Sequence, residues 1–251
     1  MKIVAKTDIG HQRSENQDNY RAGLQADGTV WALVCDGMGG AQGGRMASTL
    51  AAEYMERAFS EEIDSLHTSE EIRKFLFHLA DTANSLIFNR SETDASVQGM
   101  GTTLVCAVVR GGRVQYVHAG DSRAYVYTGA GLSQLTKDHS MVQELIEQGT
   151  ITQQEAYYHP NKNLITRALG VTSNVDVDYG EAPFRIGDIL LLCTDGLTNY
   201  VTDEGIAHIL SKTVFEKTAD ALVSQALVGE GLDNITVLLA SAQPTEDSMH
   251  G

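Results

Sequence analysis

Two apolar patterns run along the chain. Continuous apolar and β-branched runs at 30–35, 103–109, 114–119, 124–127, 189–193 and 235–240 predict core strands. The segment Arg110-Gly111-Gly112-Arg113 joins the second run to the third, and its glycine pair predicts a hairpin with antiparallel pairing. Elsewhere the period lengthens to that of a helix. Over 45–59, Ala47, Ala51, Met55, Ala58 and Phe59 fall on one face. Thr68-Ser69-Glu70-Glu71 has the spacing of a capping box, and Ile72, Leu76, Leu79 and Ala83 follow at helical intervals to about Asn89. A second box, Thr152-Gln153-Gln154-Glu155, opens a short helix that stops near His159-Pro160, because the residue before proline disfavours helical backbone. Further helices are predicted at 203–211 and 218–228. Grouped helices and hairpin-joined strands predict α+β layering rather than a regular βαβ alternation.

Composition narrows the class. The chain has 251 residues, 42% hydrophobic, with only 3 prolines: enough apolar material for a large core and too little proline for a linker architecture. A formal net charge of -15 argues against nucleic acid and anionic membranes as partners. Cys35, Cys106 and Cys193 sit inside apolar runs without CxxC spacing, which argues against a disulfide framework and a zinc site and predicts small core residues. The N-terminus lacks a signal-peptide run, and no stretch approaches the roughly 18 apolar residues of a membrane span. The expectation is a cytoplasmic monomer with one domain over 1–243 and a polar tail over 244–251.

The candidate chemistry lies where the apolar runs stop. Asp36 follows WALVC, Asp195 follows ILLLCT, Asp121 follows VQYVHAG, and Asp233 precedes the run at 235–240. Glycine flanks each of them. Any one Asp-Gly pair is compatible with an ordinary turn. Four beside strongly apolar strands suggest carboxylates gathered at one sheet end, where mutual repulsion would demand basic partners or divalent cations. Basic residues are scarce nearby, although Arg123 lies close to Asp121. Oxygen-only ligands suit Mg2+ or Mn2+, and the bare backbone of Gly37 lets a carbonyl approach an ion. DGMGGAQGG is not a phosphate-binding P-loop, since no Gly-Lys-Ser/Thr follows.

His11-Gln12-Arg13-Ser14-Glu15-Asn16-Gln17-Asp18, Asp36-Gly37-Met38-Gly39-Gly40, Gly101-Thr102-Thr103, Ala119-Gly120-Asp121-Ser122-Arg123, Asp195-Gly196-Leu197 and Asp233-Asn234-Ile235-Thr236 occur in that order. This series resembles the metal-dependent Ser/Thr protein phosphatases of type 2C over about 2–240. Leu135-Thr136-Lys137-Asp138-His139-Ser140 and Ile165-Thr166-Arg167-Ala168-Leu169-Gly170 resemble the compact bacterial branch.

The resemblance implies a four-layer α/β/β/α sandwich with two central antiparallel sheets and a dinuclear Mn2+/Mg2+ site. By that likeness Asp36 bridges both ions, the Gly37 carbonyl binds one, and Asp195 and Asp233 bind the other. Asp18 acts through metal-bound water, and Asp121 with Asp195 matches a third, weaker site. Two ions about 3.5–4 Å apart acidify a bridging water, supplying hydroxide for in-line attack on phosphorus without a phosphoenzyme. Arg13 matches the arginine that forks onto the phosphoryl oxygens. The implied substrates are phosphoserine and phosphothreonine in cytoplasmic proteins, opposing a bacterial Ser/Thr kinase, and 138–169 resembles the flap beside the active site.

Two positions depart from the pattern. Met38 stands where many eukaryotic members carry a proposed proton-donating histidine, which leaves that role to water, and 41–44 lacks the histidine common after the glycines in bacterial relatives. His139 is read as a cap or surface residue. The alternatives are a non-catalytic phosphoprotein-binding relative, which should lack a ligand residue, and a metal-dependent nuclease, which fits poorly with the acidic charge.

Overall fold

The strand that ends on Asp36 is buried on both faces, and this sets the layering. The structure, a computed structural model, describes residues 1–242; the tail expected at 244–251 lies outside the described residues. β3 (Val30–Met38) sends Val30, Ala32 and Val34 into one apolar cluster and Trp31, Leu33 and Cys35 into another. Side chains alternate along a strand, so one that is apolar at every position has to be covered twice.

Two antiparallel sheets provide the inner cover. The first runs β1 (Lys2–Asp8), β11 (Ile235–Ser241), β10 (Ile189–Cys193), β7 (Arg123–Thr128), β8 (Gly131–Gln134). The second runs β2 (Asp18–Leu24), β3, β5 (Leu104–Arg110), β6 (Arg113–Ala119), β9 (Asp178–Pro183), with β4 (Gly101–Thr102) beside the end of β3. Val30, Ala32, Val105, Ala107, Leu190, Leu192, Leu238 and Ala240 fill the space between them. The helices α1 (Gly40–Glu62) and α2 (Ser69–Thr93) pack Met55, Phe59, Leu76 and Leu79 on the outside of the second sheet. The helices α5 (Asp195–Thr198), α6 (Asp203–Lys212) and α7 (Phe215–Val228) cover the first with Leu197, Ile206, Leu210 and Leu222. The expected α/β/β/α sandwich is therefore the observed one.

All six predicted strands form, and the hairpin pairs Val109 with Val114 as its glycines require. Five strands escaped the sequence reading: the two-residue β4, and β1, β2, β8 and β9. The last four are the sheet edges. An edge strand leaves one flank and much of its side-chain surface exposed, so its sequence need not be continuously apolar. The segment 138–169 holds two short helices, α3 (Met141–Glu147) and α4 (Gln153–Tyr157), the latter behind the predicted capping box at Thr152. The helix expected at 45–59 begins earlier, at Gly40. In its second turn Gly44 lies against the Gly37 carbonyl, where a Cβ would not fit. The three cysteines are free and buried, and among the described residues no helix is long and apolar enough to cross a membrane.

The two kinds of stabilisation differ in size. Leu33→Ala, which empties a fully buried site between β3 and α1, should lower the unfolding free energy by about 2–5 kcal/mol. Thr68→Ala, which removes the capping-box hydroxyl of α2, should lower it by about 1 kcal/mol. Urea denaturation of the two variants checks that order.

Candidate active site

Strand pairing collects the acidic residues. β2 and β3 pair with Asp18 opposite Asp36. Cys193 pairs with Val237, so Asp195, just past the end of β10, and Asp233, just before β11, emerge at the same end of the first sheet. Asp121 lies in the turn between β6 and β7. These ends open on one cavity of about 410 Å³, whose walls include Arg13, Asp36, Gly37, Met38, Asp121, Asp195 and Asp233, and Asn163 and Ile165 from the 138–169 segment. Asp18 does not line it. This residue is buried behind Asp36, where Oδ2 accepts hydrogen bonds from Thr194 (2.9 Å) and Thr236 (2.7 Å).

The backbone holds this arrangement tightly. The Asp36 N–H donates to Thr103 Oγ1 (2.9 Å), and its carbonyl accepts from Thr103 N–H (2.9 Å) and Thr102 Oγ1 (2.9 Å). Thr103 Oγ1 in turn meets Ser122 Oγ at 2.7 Å, linking Asp36 to the turn that carries Asp121. A Cβ on Gly37 would collide with the backbone of Gly44 and Gln17, and one on Gly44 with the Gly37 carbonyl, so neither position has room for a side chain. On the other side, Asn234 accepts from Gln17 N–H (2.8 Å) and donates to the carbonyls of Ile9 (2.9 Å) and Glu15 (3.0 Å). One amide thus fastens the Arg13 loop beside Asp233.

Charge is poorly balanced in this pocket. Among the described residues lining it, Arg13 alone is basic. Arg13 forks onto Asp233, with Nε to Oδ1 at 2.8 Å and Nη2 to Oδ2 at 2.8 Å. Arg123, expected near Asp121, instead forks onto Asp138 (2.7 and 2.8 Å) and donates to Tyr125. Asp36 and Asp121 are pushed well above the usual carboxylate range by burial, and then by neighbouring aspartates. Burial, then Asp233, raises Asp195 to about 6, although Asn199 donates to its Oδ2 at 2.8 Å. Burial raises Asp18 to about 7 against its two threonine hydrogen bonds. Asp18 Oδ1 and Asp195 Oδ1 are buried without a hydrogen-bond partner. Orphaned anionic oxygens beside a bare carbonyl are what hard divalent cations bind, so these residues fit such ions. No three of the aspartates, among the described residues, have carboxylate oxygens all within 4.8 Å of one another.

Comparison with known proteins places the chain. Residues 9–230 match the family described as Protein phosphatase 2C. The chain belongs to that family. It is 40% identical over 247 residues, 98% of each chain, to the serine/threonine phosphatase stp of Listeria monocytogenes serotype 4b (strain F2365). Its fold matches the S. agalactiae serine/threonine phosphatase with a TM-score of 0.91 at 33% identity, covering 96% of this chain and 99% of that one. It matches the catalytic domain of the serine threonine protein phosphatase PstP in complex with 2 manganese ions with a TM-score of 0.84 at 34% identity, covering 97% and 98%. This protein phosphatase 2C is accordingly a protein-serine/threonine phosphatase.

Sequence reasoning had no role for several residues of this phosphatase. Asn234, Thr194 and Thr236 hold the loop and Asp18, and their signal was a polar residue at the end of an apolar run. Met38 lines the cavity, where a thioether has no proton to donate. His139, expected as a cap or surface residue, is neither. Only 7% exposed, it lies outside the cavity wall, because its ring is hydrogen-bonded to Gly120 and faces Asp178; the cap of α3 is Ser140.

The raised carboxyls have a sign that can be measured. Without cations the folded protein holds protons that the unfolded chain has already released, so the cluster destabilises the fold as pH rises from about 4 through the values near 6 and 7. The Tm of EDTA-treated protein should fall between about pH 5 and pH 8. Mn2+ should raise it more at the upper pH, where protons no longer compete. Thermal scans at the two pH values check this, and a larger Mn2+ gain at about pH 5 would contradict it.

Proposed function

We propose that this phosphatase hydrolyses phosphoserine and phosphothreonine in proteins with two divalent cations, Mn2+ or Mg2+, in the aspartate cavity. Asp36 and the Gly37 carbonyl, with Asp195 and Asp233, would hold them. Asp18 would act from behind Asp36 through water, and Asp121 with Asp195 would offer a third, weaker position. The observation that carries this reading is the uncompensated charge: buried carboxylates with raised proton affinities, two orphaned oxygens, and a single arginine among the described lining residues. The manganese ions of PstP, a structure matched over nearly its full length, support it.

Cations bound there would acidify water for in-line attack on phosphorus and neutralise phosphoryl charge, so that no covalent phosphoenzyme is needed. The protein's own residues do the rest. Arg13 now satisfies Asp233. Once Asp233 serves a cation, the planar guanidinium is left to grip two phosphoryl oxygens. Met38 leaves the departing serine or threonine oxygen to take its proton from water. We read 1–243 as one phosphatase domain and 138–169 as its flap, since Asn163 and Ile165 of that segment wall the cavity beside the aspartates. The phosphorylated proteins consumed here must come from a reaction that transfers phosphoryl groups to hydroxyls, which places the enzyme opposite a Ser/Thr kinase.

Hydrolysis of p-nitrophenyl phosphate should need Mn2+ or Mg2+, and Asp233→Ala should abolish it; full turnover in EDTA, or in that variant, would overturn the mechanism. Arg13→Ala should raise KM for a phosphothreonine peptide about tenfold or more, the cost of losing charge-assisted hydrogen bonds. An unchanged KM would remove Arg13 from the phosphate site.

A further inference from the structure

The turn that presents Asp121 is supported from outside. Gly120 has φ 107°, and a Cβ there would press into Thr103. Its main-chain polar groups both meet one residue. The His139 N–H donates to the Gly120 carbonyl at 2.9 Å, and the Gly120 N–H donates to His139 Nδ1 at 3.2 Å.

That residue is itself anchored on several sides. The His139 carbonyl accepts from Thr166 N–H (2.8 Å), joining the two roots of the flap. Because Nδ1 accepts from Gly120, the ring proton sits on Nε2 and is donated to Asp178 Oδ2 at 3.2 Å. Arg167 holds the other oxygen of Asp178 at 2.8 Å. His118 stacks on the ring, 4.5 Å between centroids and 13° between planes, and its Nε2 bonds the Lys137 carbonyl at 2.8 Å.

His118, His139 and Asp178 have ligand atoms within 4.8 Å of one another, which raises the question of a separate cation site. The surroundings answer it. The Arg167 guanidinium lies 3.3 Å from His139 Nε2 and 2.8 Å from Asp178, so a positive charge already stands there. A metal on Nε2 would also require a proton on Nδ1, where Gly120 N–H already points.

We propose that His139 is a positioning residue, whose Nδ1 clasps the Gly120–Asp121 turn in the orientation that offers the Asp121 carboxylate to a divalent cation. This rests on the reading of Asp121 as a ligand of the weaker cation. The clasp explains why a buried imidazole sits beside the cavity without facing it. The ring is rigid, has a defined lone pair, and is locked by Asp178 and His118, so it fixes the turn more firmly than a flexible acceptor would.

Two substitutions separate the ring's two nitrogens. His139→Asn puts an amide oxygen near the place of Nδ1 and gives up Asp178. His139→Gln reaches Asp178 through its amide nitrogen and leaves Gly120 N–H without an acceptor. Mn2+ titration by calorimetry on the full chain, with Asp121→Asn as reference, should show the weaker binding reduced about tenfold in His139→Gln, the usual scale for a residue that orients a ligand. His139→Asn should stay within about threefold of wild type, and the tighter binding should be unchanged in both. Equal losses in the two variants would assign the effect to lost packing and overturn the proposal. If Asp121→Asn weakens the site and His139→Gln does not, the proposal fails while the ligand role of Asp121 stands; if Asp121→Asn changes nothing, both fail. Nitrogen-15 spectra of the unsubstituted protein give a second check: a proton on Nε2 of His139 is expected, and one on Nδ1 would overturn the clasp.

Discussion

The structure depends on one constraint: carboxylates fixed at the ends of core strands cannot move apart. Asp36 is held through its own N–H and carbonyl by the two threonines that follow Gly101, while Asp195 and Asp233 are set by the β10–β11 register. At an effective dielectric near 20, two such charges 4 Å apart repel by about 4 kcal/mol. The strands are too well buried for the backbone to relax that repulsion. Relief therefore comes from protons, from a guanidinium, or from metal ions. Arg13 on Asp233 and the raised proton affinities of Asp36, Asp121 and Asp195 are two answers to one problem.

Much of the polar chemistry around the cavity serves to hold backbone rather than to react. Thr102, Thr103 and Ser122 connect the end of β3 to the Asp121 turn. Asn234 fastens the loop that carries Arg13. His139 does the same for Gly120 from the 138–169 segment. Glycine completes the design where chain meets chain: Gly37 and Gly44 abut each other, and a Cβ on Gly10 would strike the Asp233 backbone. These contacts fix the backbone around the cavity by hydrogen bonds and close packing.

The sheets and the 138–169 segment are built differently. The sheets supply fixed negative charge at the floor. The 138–169 segment, built of short helices, contributes Asn163 and Ile165 to the wall and is rooted on both sides of His139. None of the residues of α3 is buried, and the segment is anchored at its ends, where His139 is hydrogen-bonded to Gly120 and Leu169 enters the apolar core and pairs with Thr102.

Continuous apolar runs, hairpin glycines and two capping boxes were enough to read the core strands and the long helices, because each is a local pattern with its own period. The four aspartates with a glycine close by at the ends of those runs were legible as candidates for the same reason. The edge strands β1, β2, β8 and β9 were not, since half-exposed strands carry no unbroken apolar signal. Nor could one dimension show that Arg13 pairs with Asp233, that Arg123 turns to Asp138, or that His139 is buried against Gly120. Those pairings join residues from 15 to 220 positions apart. Sequence determined which charges stand at strand ends. Only the packing of two sheets decided which of them share a cavity, because electrostatic partners are chosen by distance in space, and that distance exists only once the strands are in register.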